Sequence, residues 1–311
     1  MISSIFGKTK PINFIILLGF IFLFYWCVQF YFLEIEFSTD GILLKSLVLA
    51  MLLFSVFVVD FIVKRNKIAG INSFSILFYT LLLVVFPETL GDSKGILCSF
   101  FLLLATRRLL SIKSLKEIKL KIFDATLWIL VSSLFYDWAI VYLILVFAAI
   151  YIYDPKNIRN WLVVLAAVFC HFIIFLGILI LMNNTSYFTT HYNFTIDYTS
   201  FSMPKWASSI RLVLYIILNV ILALLAFLKL GKAGVGKIIT MRIIALSFIL
   251  GLLVNVLVPD SSYALMITFF PSVIFITNYM ESIKRSNILE VVLMLSIFIP
   301  LVVFISRLVV K

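Results

Sequence analysis

The sequence predicts an all-α fold: a polytopic bundle of about eleven membrane-spanning helices, N-terminus cytoplasmic, forming a single integral membrane domain over residues 1–311. Three observations predict it. Of 311 residues, 64% are hydrophobic and 13% charged, with a mean hydropathy of +1.21, which is more apolar surface than a water-soluble core of this length can hide. The apolar residues fall into runs, and about 20 helical residues at roughly 1.5 Å each cross a hydrocarbon core of about 30 Å. Of the 25 Lys and Arg, 19 gather on flanks that this topology places inside, as the positive-inside rule requires; Lys45, Lys94, Lys205, Arg211, Arg307 and Lys311 lie elsewhere.

The first span covers residues 12–33, behind Lys8 and Lys10, which hold the N-terminus inside. No small-residue cleavage site follows it, so it reads as an uncleaved span and not as a signal peptide. Glu34, Glu36 and Asp40 form a short acidic periplasmic loop. The second span, 43–63, stops at Lys64-Arg65-Asn66-Lys67, with Asp60 placed one helical turn before Lys64 to pair with it. Two shorter runs follow, 73–86 and 95–105, separated by Pro87-Glu88-Thr89-Leu90-Gly91-Asp92. Neither is a full span, so a tilted pair and a re-entrant hairpin both fit, and either returns the chain to its basic side.

Residues 106–121 carry six cations and place Leu109, Ile112, Leu115, Ile118 and Ile122 at spacings of three and four. That pattern predicts a cytoplasmic interfacial helix lying on anionic lipid. The run 122–153 is too long for one crossing, and one crossing would put Lys156 and Arg159 outside. It therefore divides into two spans turning at Tyr136-Asp137-Trp138. Residues 161–182 form a full span that leads to the longest polar segment, 183–208, a periplasmic loop whose aromatic residues suit folding onto the membrane interface. Three further spans, 210–230, 238–257 and 264–279, precede a last one at 288–305. The glycines and lysines of 231–237 lack phosphate-loop spacing and a preceding strand, so they read as a cytoplasmic turn.

The formal charge of +11 is explained by these flanks without a nucleic-acid partner. Cys27, Cys98 and Cys170 each lie in an apolar run and read as small buried hydrophobes. With only His171 and His191 available, a histidine-rich metal centre is short of ligands, and no metal or other cofactor is expected. His171 reads as a polar residue bonded to a neighbouring helix. The chemistry-bearing candidates are periplasmic carboxylates. Asp137, between two aromatic residues at the tip of two short spans, and Glu34 or Glu36 are the candidate general bases. Lys205 and Arg211, at the start of a span on the same side, are candidate ligands of a lipid phosphate, with interfacial anchoring as the plainer reading. Membrane lipids, and possible membrane-protein partners that would leave no sequence signature, are the expected company.

The opening Met1-Ile2-Ser3-Ser4-Ile5-Phe6-Gly7-Lys8-Thr9-Lys10-Pro11-Ile12-Asn13, with Phe123-Asp124-Ala125-Thr126-Leu127-Trp128 and Ser133-Leu134-Phe135-Tyr136, resembles an uncharacterised family of inner-membrane proteins from flavobacteria and other Bacteroidota. The resemblance runs the whole length; it implies a multi-pass inner-membrane protein and brings no activity with it. Some relatives are labelled carotene-cleaving oxygenases, an enzyme type that needs several histidines around iron where this chain has two. A fainter likeness is to polytopic glycosyltransferases that use polyisoprenyl-phosphate sugars. It rests on the acidic first periplasmic loop, the short paired spans and the long periplasmic loop between the seventh and eighth spans. This implies transfer of a sugar from a lipid-phosphate carrier at the periplasmic face of the cell envelope. In place of the adjacent acidic pair such enzymes often show, this chain has Glu34 and Glu36, in a loop too short for interfacial helices. A non-catalytic envelope scaffold and a transporter are the alternatives.

Overall fold

The computed structural model describes residues 2–33, 39–192, 194, 206–229, 234–258 and 264–310. Its regular elements are all helical. They are α1 (Ile2–Phe6), α2 (Pro11–Cys27, prolonged by a π-helical turn Val28–Phe32), α3 (Thr39–Arg65), α4 (Phe74–Val85), α5 (Ser93–Ser111), α6 (Ile118–Ser133) and α7 (Leu143–Tyr153). After them come α8 (Ile158–Leu181), α9 (Tyr187–His191), α10 (Trp206–Lys229), α11 (Val235–Leu257), α12 (Phe269–Glu281) and α13 (Ser286–Val310). Among the described residues eight helical stretches are long and apolar enough to cross a membrane: Pro11–Phe32, Gly41–Arg65, Ser93–Ser114, Ile158–Leu181, Ile210–Lys229, Val235–Leu257, Ala264–Glu281 and Ser286–Ser306. The apolar stretches Phe74–Val85 and Asp137–Tyr153 are shorter, as is the 16-residue α6. This is the architecture of a helical membrane protein, in which the backbone N–H and C=O groups inside each span are satisfied within their own helix.

Long-range contacts sort the helix ends into two groups. At the basic end, Arg107 of α5 lies over the Phe61 ring of α3, 4.5 Å from its centroid. The Gly70 N–H, just before α4, donates to Glu281 at the end of α12 over 2.7 Å. Ser3 of α1 donates its N–H to Glu290 of α13, and Lys229 at the end of α10 donates to Ser282. At the far end, Gln29 donates to the Leu90 carbonyl over 2.7 Å, Lys45 to the Gly91 carbonyl over 3.1 Å, and Tyr136 to Asp92. The ion pair expected between Asp60 and Lys64 is present, at 2.6 Å.

Two expectations are corrected. The run ending near residue 105 was read as too short to span, yet α5 continues through Thr106, Arg107 and Arg108 to Ser111. Long cationic side chains can stay helical at a span's end because their stems lie along apolar surface while their heads find partners. Here Arg107 finds Phe61, and Arg108 finds Asp124 at 2.9 Å. For the same reason residues 106–121 are not one interfacial helix. The last turns of α5 lead into a short 3-10 turn, then Leu115 and Glu117 adopt positive φ (54° and 49°), and α6 begins at Ile118. Left-handed residues cannot continue a right-handed helix, so the apolar periodicity runs across a reversal of the chain. The division expected at Tyr136-Asp137-Trp138 is observed: α6 stops at Ser133, Tyr136 is extended, and a 3-10 turn Asp137–Tyr142 opens α7.

In lipid, helix association rests on close packing and interhelical hydrogen bonds and not on the hydrophobic effect. The interior shows both. The Tyr142 hydroxyl donates to the Ser247 carbonyl over 2.8 Å, and the Tyr215 hydroxyl pairs with Thr268 (2.7 Å) and Ser272 (2.5 Å). Gly251 faces this seam so closely that an added Cβ would lie 2.9 Å from Thr268 Cγ2 and 3.0 Å from the Tyr142 hydroxyl. Leu23, Phe169, Leu214 and Phe298 point outward and are exposed, as lipid-facing residues are.

Candidate functional site at the far end of the bundle

The far end is built around the seven-residue link, Phe86 to Asp92, between α4 and α5. Pro87 and the 3-10 turn Pro87–Leu90 fold this link inward, so that Thr89 and Leu90 are buried at the level of the helix ends. A buried link carries backbone groups that need partners, and side chains from distant helices supply them. Gln29, on the π-helical turn after α2, takes the Leu90 carbonyl. Lys45 takes the Gly91 carbonyl and the Ser93 hydroxyl. Arg211, in the first turns of α10, takes the Val85 carbonyl at 2.9 Å and Glu88 Oε1 at 2.8 Å, with its guanidinium 5.7 Å from the Phe86 ring centroid. Asp92 accepts the Tyr136 phenol. Gly91 and Gly95 permit these approaches: a Cβ at Gly91 would meet Leu33 at 2.7 Å, and one at Gly95 would meet the Asp92 carboxylate at 2.6 Å and the Tyr136 hydroxyl at 3.2 Å.

Next to this link lies an aromatic layer formed by the start of the long loop. His191 Nε2 is 2.8 Å from the Ser133 carbonyl oxygen, and the Tyr192 and Ser133 hydroxyls are 2.9 Å apart. Phe194 packs edge-on against Trp138, and Phe175 of α8 contacts Tyr187, Phe188 and Tyr192. The loop's first residues therefore dock onto the α6–α7 turn. Burial pushes the Tyr192 phenol above its ordinary range, partly offset by its hydrogen bond to Ser133.

Asp137 starts the 3-10 turn that opens α7, and its carboxylate accepts the Trp138 backbone N–H over 2.8 Å. It is half-buried and close enough to Tyr192 for its charge to act on that phenol. Arg211 is on the same end but in a different cluster, with two of its donors on Val85 and Glu88. The structure thus brings Asp137 and Arg211 to one face without bringing them into contact. Glu34, Glu36 and Lys205 lie outside the described residues.

Sequence reasoning missed Lys45, and it counted Glu88 and Asp92 among the periplasmic carboxylate candidates without their partners. The signal available was local: a Pro-Glu-Thr-Leu-Gly-Asp link between two short apolar runs marks a turn that is held inward. Their partners, Arg211 and Tyr136, are far away in sequence.

Among the described residues no group of three or more His, Cys, Asp and Glu is placed to hold a metal ion. His191 is engaged with Ser133. His171 was expected to bond to a neighbouring helix; instead it stacks on Phe175 of its own helix, and its buried Nε2 has no hydrogen-bond partner among the described residues.

No protein-family model matches this chain, and neither a characterised protein nor a solved structure matches it. The functional reading rests on the geometry.

Proposed function

We propose that the chain is a multi-pass protein of the bacterial inner membrane that crosses it eleven times, with its basic end and N-terminus in the cytoplasm. The eight full-length helices and three shorter rods support this count, and the gathering of the basic flanks at one end supports the orientation. The far end is then the periplasmic face.

On that face the chain acts as an envelope enzyme that transfers a sugar or similar group from a lipid-phosphate carrier of the polyisoprenyl type. One observation carries this reading. Of the described far-end carboxylates Glu88, Asp92 and Asp137, the first is held by Arg211 and the second by Tyr136. Among the described residues Asp137 takes only the backbone N–H of Trp138, whose ring packs on Phe194, and it lies near enough to Tyr192 for its charge to act on that phenol. A carboxylate at a lipid interface beside aromatic faces can take the proton of an acceptor hydroxyl as its oxygen attacks the carrier-linked carbon and the phosphate leaves. Arg211 serves here as a strut for the α4–α5 link, and Lys205 is the remaining candidate for the phosphate.

The test is complementation of a deletion strain's envelope phenotype. Asp137→Ala and Asp137→Asn abolish it at unchanged protein level, while Lys94→Gln, an exposed cation on the same face, does not. If Asp137→Ala, Glu34→Ala, Glu36→Ala, Lys205→Ala and Arg211→Ala all complement, the enzyme reading fails. The second reading is then a non-catalytic scaffold, favoured by the internal pairing of Lys45, Glu88, Asp92 and Arg211.

A further inference from the structure

At the opposite, basic end, a groove of about 640 Å³ opens between α3 and α5 toward the lipid. Its floor is aromatic. Phe54, Phe57 and Phe61 lie along the outer face of α3 and are 53%, 46% and 45% exposed, which is the surface an acyl chain covers. Its head is polar: Asp60, Lys64 and Arg65 come from the last turns of α3, and Arg107 from α5.

The polar groups of this head are unequally satisfied. Lys64 is held by Asp60 Oδ2 at 2.6 Å. Asp60 Oδ1 is buried and has no hydrogen-bond partner among the described residues. Arg107 stacks over Phe61, and neither it nor Arg65 makes a hydrogen bond or ion pair with a described residue. The neighbouring Arg108 is already taken by Asp124. One carboxylate and three cations leave the head with a net charge of about +2, and guanidinium groups bind phosphate oxygens in a planar, bidentate manner. Asp60 Oδ1 is closed off from the groove, but Oδ2 keeps a further lone pair beside Lys64, so the occupant that fits best also brings a hydroxyl.

We propose that this groove binds one anionic glycerophospholipid whose headgroup carries a free hydroxyl, such as phosphatidylglycerol. Its phosphate sits on Arg107 and Arg65, its headgroup hydroxyl donates to Asp60 Oδ2 beside Lys64, and an acyl chain lies across Phe54, Phe57 and Phe61. The site is at the other end of the bundle from Asp137 and stands whether or not that face is catalytic.

Native mass spectrometry of the detergent-purified chain, titrated with phosphatidylglycerol, phosphatidic acid or phosphatidylethanolamine, tests it. The wild type retains phosphatidylglycerol in preference to both others. Arg107→Gln weakens this binding about tenfold, the scale of one lost hydrogen bond to a charged group, and Arg107→Lys weakens it less. Phe61→Ala weakens it too, and Asp60→Asn removes the preference over phosphatidic acid. Lys116→Gln with Lys119→Gln, two cations of the same end that lie outside the groove, changes it less than twofold. Equal losses for the Lys116→Gln, Lys119→Gln pair and for Arg107→Gln would overturn the site in favour of diffuse attraction. Wild-type binding by Arg107→Gln and Phe61→Ala would overturn it outright, and so would full competition by free glycerol phosphate.

Discussion

Glu88→Gln isolates the Arg211 strut. The pair is 2.8 Å apart with side chains only 17% and 16% exposed, and the same guanidinium holds the Val85 carbonyl at 2.9 Å. Removing one partner of a buried pair takes away the other's nearest opposite charge and costs about 3–5 kcal/mol; the residual exposure puts Glu88→Gln near the lower limit, about 3 kcal/mol. Arg211→Met costs at least as much, because it also strands the Val85 carbonyl, a group worth about 1–3 kcal/mol unpaired. In the double variant no charge is stranded, so the two losses do not add, and the coupling is about 2 kcal/mol. The assay is unfolding in mixed micelles by titration with a denaturing detergent, read by tryptophan fluorescence for the wild type, both single variants and the double. Additivity to within about 0.5 kcal/mol would refute the strut, because independent sites add to that precision.

Gly95→Ala drives a methyl to within 2.6 Å of the Asp92 carboxylate and 3.2 Å of the Tyr136 hydroxyl, separating that pair. The expected loss in the same assay is about 1–3 kcal/mol, and it is smaller in a Tyr136→Phe background. The docking of the loop onto Ser133 is expected to weaken in alkali. Burial raises the Tyr192 phenol in the fold, so the neutral form is favoured there. Its stabilisation is fully present below the ordinary tyrosine value of about 10 and is lost as pH rises through the raised value. Limited proteolysis of the loop against pH follows this loss, and Tyr192→Phe should remove the alkaline step while leaving the loop protected at neutral pH.

Much of this fold is legible in the sequence because lipid imposes a simple rule: apolar runs become helices and their basic flanks share a side. The Asp60–Lys64 pair is legible for a similar reason, since one helical turn fixes its geometry. Where the rule misled, a charge was read as a boundary. Arg107 and Arg108 looked like the end of a span and the start of a surface helix, yet they remain in α5 because Phe61 and Asp124 receive them. The reversal at Leu115 and Glu117 has no glycine or proline to announce it. The candidate site was less legible. Asp137 follows from its place between two aromatic residues at a turn, whereas the bond from Arg211 to Glu88 spans 123 residues. The tethers from Lys45 to Gly91 and from Tyr136 to Asp92 likewise depend on which helices become neighbours, and local pattern does not encode that.

The eleven-crossing bundle with chemically distinct ends is tested most directly by labelling with a membrane-impermeant thiol reagent in intact cells. Cys27, Cys98 and Cys170 are first replaced, and single cysteines are placed at the exposed positions Lys10, Lys113 and Asn184. Four crossings separate Lys10 from Lys113, and three separate Lys113 from Asn184. The account predicts that Asn184→Cys labels in intact cells, whereas Lys10→Cys and Lys113→Cys label only after permeabilisation. If Lys10→Cys and Lys113→Cys behave oppositely, the short helix Phe74–Val85 does not cross. Labelling of Lys113→Cys in intact cells would contradict the orientation itself.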